Sequence, residues 1–176
     1  SGQLRLDLGT PEERAVEAAE RAYADAINPD AGVGMNADDW YDAGVDLEAI
    51  SVESAAAAYR RALEREPSHR DAHLNLGRLL HEEGRLAEAE SHYRAAAAAD
   101  PGDARAHYNI GVALEDQGRA AEAVAAYREA LRLDEALATA HFNLSRLYEA
   151  QGDEAAALSH LAAYKRLLGR SGVGEG

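Results

Sequence analysis

The feature that most constrains this chain is an internal repeat with a period of 34 residues. The segment 72–77 reads AHLNLG, and it recurs as AHYNIG at 106–111 and as AHFNLS at 140–145. A glycine follows each segment at the same offset, at Gly84, Gly118 and Gly152. Repeats of this length are single supersecondary units that bury their apolar faces against their neighbours. The chain is therefore predicted to be an array of similar units.

Each unit is predicted to be a helix, a turn and a second helix. Leu76 and Leu80 share one face of the first helix, and Gly77 between them allows a second helix to approach closely. Gly84 should end the first helix, because glycine adopts the left-handed C-cap conformation at the lowest cost. Pro101 should end the second helix, since proline cannot continue it. The unit is thus a helical hairpin.

Small and aromatic residues recur in the second helix of each unit. They are Ala89…Tyr93…Ala96, Ala123…Tyr127…Ala130 and Ala157…Leu161…Tyr164. Together with Leu-Gly in the first helix and proline at the end, this pattern resembles the tetratricopeptide repeat family over residues 36–169. The resemblance implies an all-α fold, a right-handed superhelical solenoid of antiparallel helix pairs with an N-terminal capping helix. The chain departs from the family pattern at Asp134-Glu135, where Asp-Pro is usual, and at Tyr164, where a small residue is usual.

The same pattern predicts the organisation of the whole chain. Leu4, Leu6 and Leu8 alternate with polar residues, which is typical of an extended segment. The first repeat is irregular because its turn is one residue shorter, and Ser51 can cap its second helix. Trp40 is expected to pack in the core. The predicted segments are an extended segment at 1–9, a half-repeat helix at 10–28, a linker at 29–36, repeats at 37–69, 70–103, 104–137 and 138–169, and a flexible tail at 170–176.

The charge of the chain limits its partners. The formal net charge is −14 and cysteine is absent. Such a field repels phosphate backbones and anionic membranes, so direct binding of nucleic acid or of a membrane is not expected. The sequence has no apolar run of membrane-spanning length and no export signal, which leaves the cytoplasm as the expected location. Without cysteine, disulfide and thiolate chemistry are excluded.

The family resemblance implies a concave groove that is lined by the first helix of each repeat and binds a protein or peptide segment. Asn75, Asn109 and Asn143 form a ladder at equivalent positions, similar to the asparagine ladder in the repeat domain of O-linked N-acetylglucosamine transferases. An amide can donate to a peptide carbonyl and accept from its N–H. In the alternative interpretation these asparagines are family consensus and make only local hydrogen bonds. The predicted groove residues are Tyr41, Leu74, Asn75, Arg78, Arg105, Tyr108, Asn109, Val112, Phe142, Asn143 and Arg146.

Three of these residues are arginines, with two possible roles. Arg78, Arg105 and Arg146 could favour a ligand with carboxylates. Acidic residues occupy the same helix faces, however, and ion pairing with them is the preferred interpretation. The carboxylate clamp that binds chaperone tails in this family needs lysine and asparagine where this chain has Tyr41 and Val45, or Leu74 and Arg78. Chaperone-tail binding is therefore not predicted.

Catalysis and metal binding are not predicted. His73, His107 and His141 are equivalent, and helix packing places equivalent residues of adjacent repeats about 10 Å apart, too far to share a metal. They are interpreted as packing groups. His69 and His73 have helical spacing for two ligands, but His69 falls in a turn and the sequence offers no third ligand. No phosphate-binding loop or nucleophile and base motif is present, so no cofactor is predicted.

Two other functions remain open. The last helix, predicted over 154–168, carries apolar residues with no following helix to cover them, which favours self-association into a homo-oligomer. The possible self-association residues are Leu158, Leu161, Tyr164, Leu167 and Leu168. Alternatively, the chain is the sensory or oligomerisation arm of a larger bacterial regulator whose DNA-binding part lies outside it.

Overall fold

A computed structural model describes residues 34–171, with side chains up to residue 169. The predicted extended segment at 1–9, the half-repeat helix at 10–28 and most of the linker at 29–36 lie outside the described residues. The last five residues of the predicted tail, 172–176, also lie outside them.

The described residues contain eight helices and no strand, which confirms the predicted all-α class. The last helix extends to Ser171, beyond the predicted end of the fourth repeat at residue 169. The helices are α1 (Ala37–Leu47), α2 (Val52–Arg65), α3 (Arg70–Glu82), α4 (Leu86–Ala99), α5 (Ala104–Asp116), α6 (Ala120–Leu133), α7 (Ala138–Ala150) and α8 (Glu154–Ser171).

Side-chain caps explain where several helices begin. Asn36 and Asp39 form a capping box at α1, in which each side chain accepts a hydrogen bond of 2.9 Å from the backbone N–H of the other. Ser51 accepts from the N–H of Ser54 at the start of α2, as the sequence predicted. Asp103 caps α5 through the N–H of Arg105. These bonds satisfy backbone donors that the first turn of a helix leaves unpaired.

Glycine ends the first helix of three repeats. Gly84, Gly118 and Gly152 have φ values of +77°, +75° and +79°, in the left-handed region where a side chain would be strained. In the second repeat, the second helix ends before Pro101, at Ala99, and Asp100 is its C-cap. The turn signals read from the sequence are therefore confirmed.

The chain divides into two compact units, with the boundary between Leu76 and Gly77 inside α3. In the first unit, α1 packs against α2. A Cβ at Gly44 would lie 2.5 Å from the ring of Tyr59, so only glycine allows this close approach. Trp40 and Tyr59 are 1% and 0% exposed, which confirms that Trp40 is a core residue.

The second unit contains helices α4 to α8, each packed against the next. The same contact between glycine and tyrosine recurs at Gly111 and Tyr127, again with 2.5 Å from a built Cβ to the ring. A buried carboxylate also links two parts of this unit. Glu90 of α4 is 4% exposed, and its Oε2 lies 2.8 Å from Nη1 of Arg119 and 2.8 Å from Nε2 of Gln117. This carboxylate holds α4 to the turn between α5 and α6.

Candidate functional site

In the first unit, one asparagine of the predicted ladder belongs to a tyrosine network. Asn75 Nδ2 donates to the hydroxyl of Tyr59 at 3.0 Å and lies 3.5 Å from the hydroxyl of Tyr41. Tyr59 in turn donates to Glu48 Oε1 at 2.6 Å. The two tyrosine rings are 5.8 Å apart. Asn75 therefore holds the start of α3 against the α1–α2 hairpin.

The second unit repeats the network with equivalent residues. Asn143 Nδ2 donates to the hydroxyl of Tyr127 at 3.1 Å and lies 3.5 Å from that of Tyr108. Tyr127 donates to Glu115 Oε2 at 3.0 Å. Burial raises the pKa of Tyr127, and the neighbouring Glu115 raises it further, so the hydroxyl keeps its proton. This proton goes to the carboxylate, which leaves the oxygen lone pairs free to accept from the asparagine.

Asn75 and Asn143 each donate to a tyrosine of their own unit, as the interpretation of local hydrogen bonding expects. The tyrosine and glutamate members of the networks were not predicted from the sequence. The available signal was the recurrence of Tyr59 and Tyr127 on the second helices, with Glu48 and Glu115 at equivalent positions near the ends of the first helices. A buried phenol needs a hydrogen-bond partner, and a recurring carboxylate supplies it.

Asn109 differs from the other two asparagines. Within residues 34–171 its half-buried side chain makes no hydrogen bond. The tyrosine of the preceding hairpin, Tyr93, makes none through its hydroxyl either, and burial raises its pKa to about 12. His81 stands where the other repeats have a glutamate, and its Nε2 lies 2.6 Å from Asp116 Oδ2. Without a carboxylate to orient the Tyr93 hydroxyl, Asn109 keeps both its donor and its acceptor available.

Four of the predicted groove residues form an apolar row at equivalent repeat positions, and their exposure is unequal: Tyr41, Leu74, Tyr108 and Phe142. Phe142 is 40% exposed, its ring centre is 5.2 Å from that of Tyr164, and the guanidinium of Arg146 lies 6.0 Å from its centre. Tyr41 and Tyr108 are half-buried. Leu74 is 7% exposed and offers little surface to a ligand. Phe142 is therefore the most exposed of these four side chains.

The three predicted groove arginines all lie in ion pairs. Arg78 pairs with Glu82 at 2.8 Å and Arg105 with Asp103 at 3.1 Å, both on their own helix or its cap. Arg146 of α7 pairs with Glu115 of α5 at 3.3 Å. Pairing with acidic neighbours was the preferred interpretation, and these contacts agree with it. Val112, the remaining groove residue, is half-buried on α5.

The histidines make structural contacts. His73 is 9% exposed, and its Nε2 lies 2.9 Å from the carbonyl oxygen of Pro67. His69 caps α3, because its Nδ1 accepts from the N–H of Ala72 and its Nε2 then donates to Asp38 at 3.1 Å. In the part of the chain that is described, no three histidine or acidic side chains are grouped to hold a metal ion.

His141 pairs with His160 across the α7–α8 hairpin. Their Nδ1 atoms are 2.8 Å apart, and His141 Nε2 lies 3.3 Å from the carbonyl oxygen of Glu135. Burial lowers the pKa of His160, and His141 and Arg128 lower it further. The two rings can share one proton between the Nδ1 atoms, whereas two protons there would repel.

The last helix presents an exposed apolar face. Leu158 and Leu168 are 66% and 49% exposed, whereas Leu161, Tyr164 and Leu167 are half-buried. Beside this face lies an open pocket of about 320 Å³. It is lined by Ser145, Glu149, Gly152, Glu154, Ala157, Leu158 and Leu161. Among residues 34–171, no helix is both long and apolar enough to cross a membrane.

Comparison with known proteins agrees with this architecture. The sequence profile described as "Tetratricopeptide repeat" matches residues 49–104, 87–138 and 108–170. No curated protein sequence matches the chain significantly.

Among solved structures, a crystal structure of MamA is 17% identical, with a TM-score of 0.78, over 92% of this chain and 95% of that one. MamA 41-end from Desulfovibrio magneticus RS-1 is 23% identical, with a TM-score of 0.73, over 91% and 92% of the two chains. The MamA RS-1 ArsTM double mutant is 24% identical, with a TM-score of 0.75, over 97% and 91%. These likenesses establish the fold class as an all-α helical solenoid.

Proposed function

Because this chain belongs to the tetratricopeptide repeat family, a family of protein-interaction scaffolds, we propose that α5 and α7 bind an extended segment of a partner protein. These are the first helices of the third and fourth repeats. The chain acts in this role as a non-catalytic scaffold.

The observation that carries the proposal is the unused amide of Asn109. It lies on α5, is half-buried, and makes no hydrogen bond within the described residues. The amide gains no hydrogen bond from the described residues, so a ligand that bonds to it breaks no internal contact. A peptide backbone offers a carbonyl and an N–H at the spacing of one residue, and it would satisfy both ends of this side chain.

Asn143 supplies a second, weaker contact on α7. Its Nδ2 is committed to Tyr127, but its Oδ1 makes no hydrogen bond among residues 34–171. This oxygen can accept one N–H from a bound segment. Asn109 would therefore bond to both the carbonyl and the N–H of a peptide backbone, whereas Asn143 would accept only from an N–H.

Phe142 supplies the apolar contact beside the two amides. It is 40% exposed and packs on Tyr164 on one side, so its ring is held in place before a ligand arrives. An apolar side chain of the partner segment would cover the remaining face. The net charge of −14 favours a segment that is neutral or basic.

The test uses peptides selected on the intact protein from a displayed random library, with affinity measured by titration calorimetry. Asn109→Ala should weaken the selected peptide by about fivefold to thirtyfold, the value of one or two lost hydrogen bonds. Its thermal midpoint should not fall, because no internal bond is lost and alanine favours helix. Gln151→Ala removes another exposed amide, at the end of α7, and should leave binding unchanged.

Asn143→Ala separates the ligand role from the structural role. It should lower the free energy of unfolding by about 1 kcal/mol, because Tyr127 loses a hydrogen-bond donor. If Asn109→Ala binds the selected peptides as tightly as the unmodified protein, the proposed site is wrong.

A further inference from the structure

The exposed face of α8 carries one ordered stripe of residues. Glu154, Leu158, Leu161 and Lys165 are spaced by four, three and four positions. At 100° per residue they fall within an arc of about 60° on the helix surface. The stripe thus has two leucines at its centre, an acid at one end and a base at the other.

Neither charged end has a partner in the described structure. Glu154 and Lys165 are exposed and take part in no ion pair or hydrogen bond within residues 34–171. Leu158 is 66% exposed and lines the pocket of about 320 Å³. A leucine this exposed beside an open pocket marks a surface suited to another chain.

We infer that this stripe is a two-fold interface between two copies of the protein, in which α8 of one copy packs antiparallel on α8 of the other. The pair Glu154 and Lys165 has the same midpoint as the pair Leu158 and Leu161, between residues 159 and 160. A two-fold axis at that midpoint places each Leu158 opposite Leu161 of the second copy. The same axis places each Glu154 opposite Lys165 of the second copy, so both ion pairs form at once.

The stripe itself selects this arrangement over a parallel one. A parallel packing would set Glu154 against Glu154 and Lys165 against Lys165, which like-charge repulsion disfavours. Only the antiparallel arrangement makes the charges complementary. The self-complementarity points to a second copy rather than to an unrelated partner.

A head-to-tail continuation of the solenoid fits less well. At the junction inside the second unit, the incoming helix α7 brings Asn143 to Tyr127 and Arg146 to Glu115. In α1 of a second copy the equivalent residues are Asp42 and Val45. They would meet Leu161 and Glu149, the residues equivalent to Tyr127 and Glu115. An acid against a leucine and a valine against an acid gain neither a hydrogen bond nor an ion pair.

One helix face is smaller than the interface of a permanent dimer, so the association should be weak and dependent on concentration. The proposed dimer interface lies on α8, whereas Asn109 lies on α5. The dimer does not depend on the proposed peptide binding. Either inference can therefore fail while the other holds.

The test is sedimentation equilibrium of the full chain from about 10 µM to about 500 µM, a range that reports weak association. The apparent mass should rise from 18.8 kDa toward twice that value. Glu154→Lys and Lys165→Glu should each weaken the dimer about tenfold, because each turns two attractive contacts into repulsive ones. Arg166→Glu makes the same charge change outside the stripe and should have no such effect.

Sedimentation of an equimolar mixture of the two charge variants tests the antiparallel arrangement directly. In the antiparallel dimer, Glu154→Lys places lysines at both ends of the stripe and Lys165→Glu places acids at both ends. The mixture should therefore form a heterodimer that associates more tightly than either variant does alone. Leu158→Ser, at a position that is 66% exposed, should also weaken the dimer.

Three results would overturn the inference. The first is an unmodified protein that stays monomeric at the highest concentration. The second is an equal loss of association in Lys165→Glu and Arg166→Glu. The third is a mixture of the charge variants that fails to associate.

Discussion

Replacing Gly111 by alanine should destabilise the second unit, although alanine is the better helix former. A Cβ at this position would lie 2.5 Å from Cε1 and 2.6 Å from Cδ1 of Tyr127. The ring of Tyr127 is 0% exposed, and its hydroxyl is bonded to both Glu115 and Asn143. The ring therefore cannot move aside without breaking one of these bonds or opening the α5–α6 contact.

Two opposing terms set the size of the effect. Overpacking a filled core costs about 1–3 kcal/mol, and the anchored ring places this case near 3 kcal/mol. Exchanging glycine for alanine inside a helix recovers about 1 kcal/mol. The net loss is about 2 kcal/mol, which for a chain of this length lowers the thermal midpoint by about 4–8 °C.

Gly169→Ala is the matched control. It makes the same chemical change in α8, where a built Cβ meets no atom within 4 Å. Only helix propensity acts there, so stability should rise by up to about 1 kcal/mol. Thermal unfolding followed by circular dichroism at low protein concentration compares Gly111→Ala, Gly169→Ala and the unmodified chain. If Gly111→Ala melts at or above the unmodified midpoint, the account of a rigid contact between Gly111 and Tyr127 is refuted.

Two further predictions concern buried charge. Burial, His141 and Arg128 lower the pKa of His160 below its usual 6.5, so on acidification the unfolded chain is protonated before the folded one. The contribution of His160 to stability should therefore be constant above about pH 6.5 and fall as the pH drops toward the folded pKa; His160→Gln should flatten this part of the plot of thermal midpoint against pH. Glu90→Ala should lower the free energy of unfolding by about 2 kcal/mol. It removes a carboxylate that is 4% exposed, and with it the charge-assisted hydrogen bond of 2.8 Å from Arg119.

Each of these predictions has its own control. If the thermal midpoint of His160→Gln falls with the same slope below pH 6.5, His160 is not the cause of that fall. For Glu90 the comparison is Glu64→Ala, since Glu64 is 61% exposed in its ion pair with Arg61. Exposed pairs contribute about 0–1 kcal/mol. Equal losses in the two glutamate variants would show that burial of Glu90 does not strengthen its contacts.

The local structure of the repeats could be predicted from the sequence because short-range rules govern it. Gly84 ends its helix since the left-handed conformation is a property of glycine itself, and Pro101 follows a helix end for the same kind of reason. The 34-residue spacing also predicted the close approach at Gly77, where a Cβ would lie 2.7 Å from the ring of Tyr93. The helix ends and the close approach of two helices depend on residues within one hairpin, so the spacing of those residues in the sequence predicts them.

The roles of the asparagines were decided only by the tertiary structure. Asn75, Asn109 and Asn143 occupy one position of the repeat and look alike in the sequence. Two of them bond to a tyrosine of the preceding hairpin, and Asn109 does not. The difference depends on whether that tyrosine has a carboxylate to receive its proton, as Tyr127 has in Glu115.

The sequence by itself thus determined the array of helical hairpins, because each hairpin is specified by residues close together in the chain. The tertiary structure decided which identical side chains bond within the scaffold and which make no hydrogen bond among the described residues. The physical reason is that a hydrogen bond depends on the distance and direction between groups on different helices, and a repeating sequence position fixes neither.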